Sequence, residues 1–226
     1  MVLVVKLNMI SIAMKTNSEL RQEAKAAMKG NWGMGICVFL VGSLLMGLVS
    51  TPQIVFGEES PQGNLLYGVA MIFFGYPLLY GLYYFAFLKF SRTGELKVEN
   101  IFGIFNSTYY LKTVCVALLT AIYTFLWTLL LIVPGVIKGL SYFLAPYILI
   151  DNPELNAEQA ICRSMEMMKG HKMDLFLITL GYVGLGILSM FLLFIPMLWL
   201  VPYYQTVYAK FYEEIKATYQ STTHML

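Results

Sequence analysis

Charge is what this chain has least of. Asp, Glu, Lys and Arg make up 12% of its 226 residues, against ~25% in a typical soluble domain. Hydrophobic residues make up 58%, and the mean hydropathy is +0.68. So little polar surface cannot cover a folded chain in water, which argues against a soluble domain and for a lipid bilayer as solvent. A net charge of +2 with no basic patch argues against a nucleic-acid partner. Cys37, Cys115 and Cys162 are far apart, and His171 and His224 are solitary, so no disulfide, metal site or cofactor is expected. No Asp or Glu falls in the middle of an apolar run, so the acidic relay of an ion-coupled transporter is missing. Also missing are GxxxxGK[ST], HExxH and GxSxG. Asp151, Glu166, His171 and Asp174 are scattered polar residues expected to cap and solvate helix ends. No catalytic residue is expected, and the chain is not read as an enzyme.

What remains is apolar and periodic. The fold class read from it is all-α: a polytopic membrane helical bundle of six transmembrane helices arranged as three hairpins, with cytoplasmic amphipathic helices. The spans cover about 33–49, 65–88, 113–133, 135–150, 175–195 and 197–212. At ~1.5 Å per residue, runs of this length approach or match a ~30 Å hydrocarbon core. Pro134-Gly135 separates the third and fourth spans with almost no loop, and Pro196 ends the fifth. Val98 to Phe105 reads as a helix lying on the interface. Asn152 to Asp174 reads as an amphipathic helix ending at Gly170.

Basic residues set the orientation. Lys6, Lys15, Arg21, Lys25 and Lys29 precede the first span, and Lys89, Arg92, Lys97 and Lys112 separate the second from the third. Arg163, Lys169 and Lys172 separate the fourth from the fifth, and Lys210 and Lys216 follow or end the last. Fourteen of the fifteen Lys and Arg thus share one side, and Lys138 is the exception. The positive-inside rule places both termini in the cytoplasm of a bacterial cell, with the chain multi-pass in the cytoplasmic (plasma) membrane. Residues 1–15 read as an N-terminal extension or tail, with Met14 as an alternative start, and 16–226 as one integral membrane domain. Thr16 and Glu19 have capping-box spacing, and Leu20, Ala24, Ala27 and Met28 form one face of a helix expected on the inner membrane surface. Its Arg21, Lys25 and Lys29 are placed to meet anionic head groups.

Three prolines stand in the return arms: Pro77, Pro146 and Pro202. Each removes a backbone donor, so each is expected to kink its helix. Tyr76, Tyr80 and Tyr84 share one helical face, as do Tyr204, Tyr208 and Tyr212. The plain reading of such stripes is interfacial belt and helix packing. If they face inward they form an amphipathic wall for a lipid or aromatic ligand, with Tyr80, Tyr84, Tyr204 and Tyr208 as ligand-binding candidates. Lys138 lies near the start of the fourth span. It either snorkels to the head groups or lines an outward cavity and meets an anionic group. Ser43 and Gly47, and Gly135 and Gly139, have the small-xxx-small spacing of close helix approach.

Ile132-Val-Pro-Gly-Val-Ile-Lys-Gly-Leu-Ser-Tyr, Tyr147-Ile-Leu-Ile-Asp-Asn-Pro and Ala160-Ile-Cys-Arg-Ser-Met-Glu-Met-Met-Lys-Gly-His-Lys resemble the domain of unknown function 975. That family consists of predicted integral membrane proteins of Gram-positive bacteria. Glu19-Leu-Arg-Gln-Glu-Ala-Lys, Gly30-Asn-Trp, Pro202-Tyr-Tyr and Ala209-Lys-Phe-Tyr fit the same pattern. The family supplies no catalytic or ligand residues to carry over. A more distant likeness, to membrane domains attached to some glycerophosphodiester phosphodiesterases, implies lipid-related work, although no hydrolase domain is present here. The expected function is a non-enzymatic accessory, regulatory or lipid-binding membrane protein, and the alternative is a transporter or exporter of a lipid-like amphiphile. Its partners would be membrane lipids and a protein partner or second copy.

Overall fold

The computed structural model describes residues 14–106 and 108–223; the N-terminal extension lies largely outside them. Among the described residues the chain is all helix and turn. In chain order the helices are α1 (Asn17–Met28), α2 (Trp32–Val49), α3 (Thr51–Phe56) and α4 (Pro61–Thr93). A 3-10 helix (Val98–Phe105) follows, then α5 (Tyr110–Leu130), α6 (Ile132–Tyr142), α7 (Ala145–Asp151), α8 (Ala157–Met167), α9 (Lys172–Met190) and α10 (Met197–Thr223). Among the described residues five stretches are long and apolar enough to cross a membrane: α2, α4, α5, α6 with α7, and α9. α10 differs from the short last span read from the sequence. It is a continuous helix of 27 residues whose second half carries Lys210, Glu213, Glu214 and Lys216, so only its first half is apolar.

Local chemistry sets the element ends. Thr16 Oγ1 accepts from the Glu19 amide at 3.3 Å, and the Glu19 carboxylate accepts from the Thr16 amide at 2.7 Å, a reciprocal capping box. Asn156 and Gln159 do the same for α8, at 2.8 and 2.9 Å. The α5–α6 turn falls at Leu131, three residues before the Pro134 expected to make it. Pro134 sits instead in the first turn of α6, where backbone N–H groups have no intrahelical acceptor and a missing one costs nothing. α9 stops at Met190, ahead of the expected end. The turn after it places Leu193 and Phe194 at φ 53° and 60°, a left-handed conformation costing ~1–2 kcal/mol per bulky residue.

The prolines behave differently from one another. Pro77 does not break α4, which passes through π-helical turns at Met71–Gly75 and Gly81–Phe85 on either side of it. Because Pro77 has no N–H, the Phe73 carbonyl four residues earlier loses its donor. The Tyr110 hydroxyl donates to it instead, at 2.6 Å. The break near Pro146 comes at Phe143–Leu144, between α6 and α7. There Ser164 of α8 donates to the Ser141 carbonyl at 2.7 Å and accepts from the Leu144 amide at 3.1 Å. Pro202 lies inside an unbroken α10.

Burial is graded along each helix. α4 buries Leu78, Leu82 and Phe87 but exposes Leu65, Leu66 and Phe74, and α5 buries Val114 and Val116 but exposes Phe125 and Leu129. α10 buries Val207 and Phe211 but exposes Trp199. The core therefore sits at the end that carries Arg92, Asp151 and Lys216, while the α5–α6 and α9–α10 turns are bare hydrocarbon. The 3-10 helix belongs to this core: Asn100, Ile101 and Ile104 are buried, so it is packed against α4 and is not lying free on an interface. Gly81 permits this, because a Cβ there would collide with the Ile101 carbonyl oxygen. α1 is likewise integrated, with Leu20, Ala24 and Met28 fully buried against the bundle.

Candidate functional site

The two tyrosine stripes meet. Tyr84 of α4 lies edge-on to Tyr147 of α7, ring centroids 4.9 Å apart, and Tyr147 stacks on Tyr212 of α10 at 5.0 Å. Phe143 contacts Tyr84 on one side and Tyr208 on the other, at 6.5 and 5.1 Å. The chain of rings continues from Tyr208 to Tyr204 and Tyr182, with Tyr182 to Tyr204 at 5.0 Å. Offset and edge-to-face pairs of this kind contribute ~0.5–1.5 kcal/mol each beyond burial. Phe143 and Tyr147, which do the joining, lie at the α6–α7 break. The Tyr147 hydroxyl is buried and has no hydrogen-bond partner among the described residues.

The α4 stripe also lines a cavity of about 370 Å³. Its walls include Tyr76, Tyr80, Tyr84, Thr120, Tyr142 and Phe143. Among the described residues no charged side chain lines it, so hydroxyl groups on aromatic and methyl surface are what it offers a ligand. Tyr204 and Tyr208 stand behind Phe143 and do not line it. Lys138 is also absent from the lining. Its ammonium lies 4.8 Å from the centroid of the Trp127 ring, a cation–π contact at the hairpin turn. A second, larger groove of about 740 Å³ runs between α2, α3 and α4. It is walled by residues such as Leu48, Val55, Phe74, Leu78 and Phe102, with almost no polar surface.

At the core end of the bundle Asp151 forms a hub that sequence reading assigned only to a helix end. Its carboxylate, 5% exposed, takes Arg92 at 2.7 and 2.8 Å, Lys216 at 2.6 Å and the Tyr212 hydroxyl at 2.6 Å. Arg92 also meets Glu213 at 2.6 Å. Two carboxylates and two cations balance, so the ends of α4, α7 and α10 are tied by a neutral network. A sequence signal existed: Tyr147 and Asp151 are four residues apart and share one face of α7. His171 pairs with Asp174 at 3.7 Å, so the polar residues considered for chemistry separate into different groups. Among the described residues no three His, Cys, Asp or Glu gather where they would hold a metal ion.

Comparison with known proteins adds one finding. The family model described as "Protein of unknown function (DUF975)" matches residues 14–138 and 129–219. The chain belongs to the DUF975 family. Within this DUF975 protein the two matched stretches together take in both tyrosine stripes, the cavity and the Asp151 hub. No curated protein and no solved structure matches the chain.

Proposed function

We propose that this DUF975 protein is a non-enzymatic protein of the bacterial cytoplasmic membrane, with both termini in the cytoplasm, that binds a lipid-like amphiphile and serves as an accessory or regulatory component. The observation that carries this reading is the tyrosine-walled cavity. At about 370 Å³ it falls within the ~300–1,000 Å³ of small-molecule sites, which are apolar with a few placed polar groups. The lack of lining charge favours an uncharged polar head, such as a hydroxyl, ester or amide, held by Tyr76, Tyr80 and Thr120. The distribution of basic residues supports the orientation. Membrane lipids are the first partners, and a protein partner or second copy would engage the exposed apolar hull.

Mass spectrometry of the gently purified protein tests this. One retained amphiphile is expected, lost in Ala117→Phe, which fills the cavity, and weakened in Tyr80→Phe. Retention unchanged by Ala117→Phe, or no amphiphile in the native protein, overturns it. A second reading, export or transport of the amphiphile, draws on the α6–α7 break, whose Phe143 and Pro146 line the same cavity. Broken helices mark transport paths in several membrane folds. Flux of the retained amphiphile in proteoliposomes decides between holding it and moving it.

A further inference from the structure

Neighbouring residues fix how deep each hairpin can reach. From Lys112 to the α5–α6 turn at Leu131 the rise is ~28 Å, enough to cross if the helix stood upright. In that case Ile132 and Val133 would lie a whole bilayer away from Lys172, which begins α9 after the charged segment Lys169 to His171. Instead, Ile132, Val133, Val136 and Leu140 line one groove with Lys172 and Phe176. α8, which carries Arg163 and Glu166, packs against both α5 and α6. The apolar tip of the hairpin is therefore beside groups that must stay in water or among head groups.

The α9–α10 hairpin has the same limit. α1 runs antiparallel to α10: the Lys15 amide donates to Glu214 at 3.0 Å, and the Tyr203 hydroxyl donates to the Arg21 carbonyl at 3.3 Å. Along α9, Asn17 donates to the Asp174 carbonyl at 3.1 Å, and the Arg21 guanidinium lies against Gly181. α1 exposes Glu19, Gln22, Lys25 and Lys29, so the parts of α9 and α10 beside it lie at the polar boundary. Beyond Gly181 only ten residues of helix rise remain before Phe191, ~15 Å, half of a ~30 Å core.

We infer that only the α2–α4 hairpin crosses the hydrocarbon core, and that the α5–α6 and α9–α10 hairpins enter from the basic side and turn back within the same leaflet. This rests on the cytoplasmic orientation proposed above. It fits the tips: Leu129 to Val133 and Phe191 to Ile195 are exposed and wholly apolar, whereas the α3–α4 turn carries Glu58 and Glu59. It also removes the one exception to the charge rule, because Lys138 joins the other cations on the inner side. The partner of the two tips is the acyl layer of the inner leaflet, and Lys25, Lys138 and Lys172 stand at its anionic surface. Both termini keep their side, since a hairpin that turns back changes no parity.

Cysteine accessibility in the full-length protein tests this. With Cys37, Cys115 and Cys162 changed to Ser, single cysteines are placed by Glu58→Cys, Lys138→Cys, Leu193→Cys and Lys169→Cys, and treated with a membrane-impermeant maleimide. Glu58→Cys is expected to react in intact spheroplasts, Lys138→Cys and Lys169→Cys only in inverted vesicles, and Leu193→Cys in neither. A nitroxide at Leu193→Cys then reads mid-bilayer depth by oxygen and nickel accessibility. Reaction of Lys138→Cys or Leu193→Cys from outside, with Lys169→Cys still inside, overturns the inference and leaves the orientation standing. Reaction of Lys169→Cys from outside overturns both. Val133→Cys replaces Lys138→Cys if that variant does not fold, and its labelling from outside has the same meaning.

Discussion

Asp151 shows what a single carboxylate does in this bundle. Its partners lie 59, 61 and 65 residues away in sequence, so no local pattern reveals them, although Tyr147 and Asp151 were visible as one face of a short helix. Burying one charge among two cations and a phenol is tolerable only while all are present. Asp151→Asn keeps the shape but leaves Arg92 and Lys216 short of a counter-charge. The expected loss is about 2 kcal/mol, less than the ~3–5 kcal/mol of a fully buried pair because both cations remain partly hydrated. Unfolding of the purified variant in mild detergent, against the parent protein, measures it. A change near zero would reduce the hub to a surface ion pair. Lys138 makes the complementary point: a lone lysine inside an apolar stretch was legible, but its contact with Trp127 depended on where the α5–α6 turn falls.

Among the elements, caps were the most legible features and turns the least. Thr16 and Glu19 declared α1 from spacing alone, and the same spacing at Asn156 and Gln159 was available for α8. Pro134 misplaced the α5–α6 turn because a proline ends one helix and starts the next equally well. Integration of α1 into the bundle was not legible, since an amphipathic face is the same whether it covers lipid or protein. That helix should respond to pH. The backbone hydrogen bond from Thr16 holds the Glu19 carboxyl below its ordinary range, and the hydrogen bond to Glu23 holds the Lys15 ammonium above its own. A lowered acid stabilises above its unfolded pKa and loses this as pH falls through the folded value. A raised base stabilises below its unfolded pKa and loses this as pH rises through the folded value. Limited proteolysis at the α1–α2 junction should therefore be slowest across neutral pH and accelerate at both extremes. Thr16→Ala with Glu19→Gln should flatten the acid side alone, and an unaltered acid side would show that the cap does not govern docking.

The whole molecule is packed at one end and open at the other. Composition and long apolar runs made the all-α class with candidate membrane-spanning helices legible, and the aromatic stripes made part of the cavity wall legible. The joining of the stripes through Phe143 and Tyr147 was not, because it depends on a helix break whose position only tertiary contacts define. Graded packing predicts graded protection: in micelles, amide exchange should be slowest at Phe87, Ile148, Val207 and Phe211 and fastest at the water-facing α3–α4 turn around Glu58 and Glu59. Uniform protection along the helices would contradict the gradient. The Phe73 carbonyl, capped by a phenol from 37 residues further on, adds an order of events. A ribosome adding ~5–20 residues per second reaches Tyr110 roughly 2–7 s after Phe73. For those seconds α4 exists with a carbonyl whose donor has not been synthesised, so nascent α4 must hold a water or another partner at Pro77, and it takes its final form only as the next helix arrives.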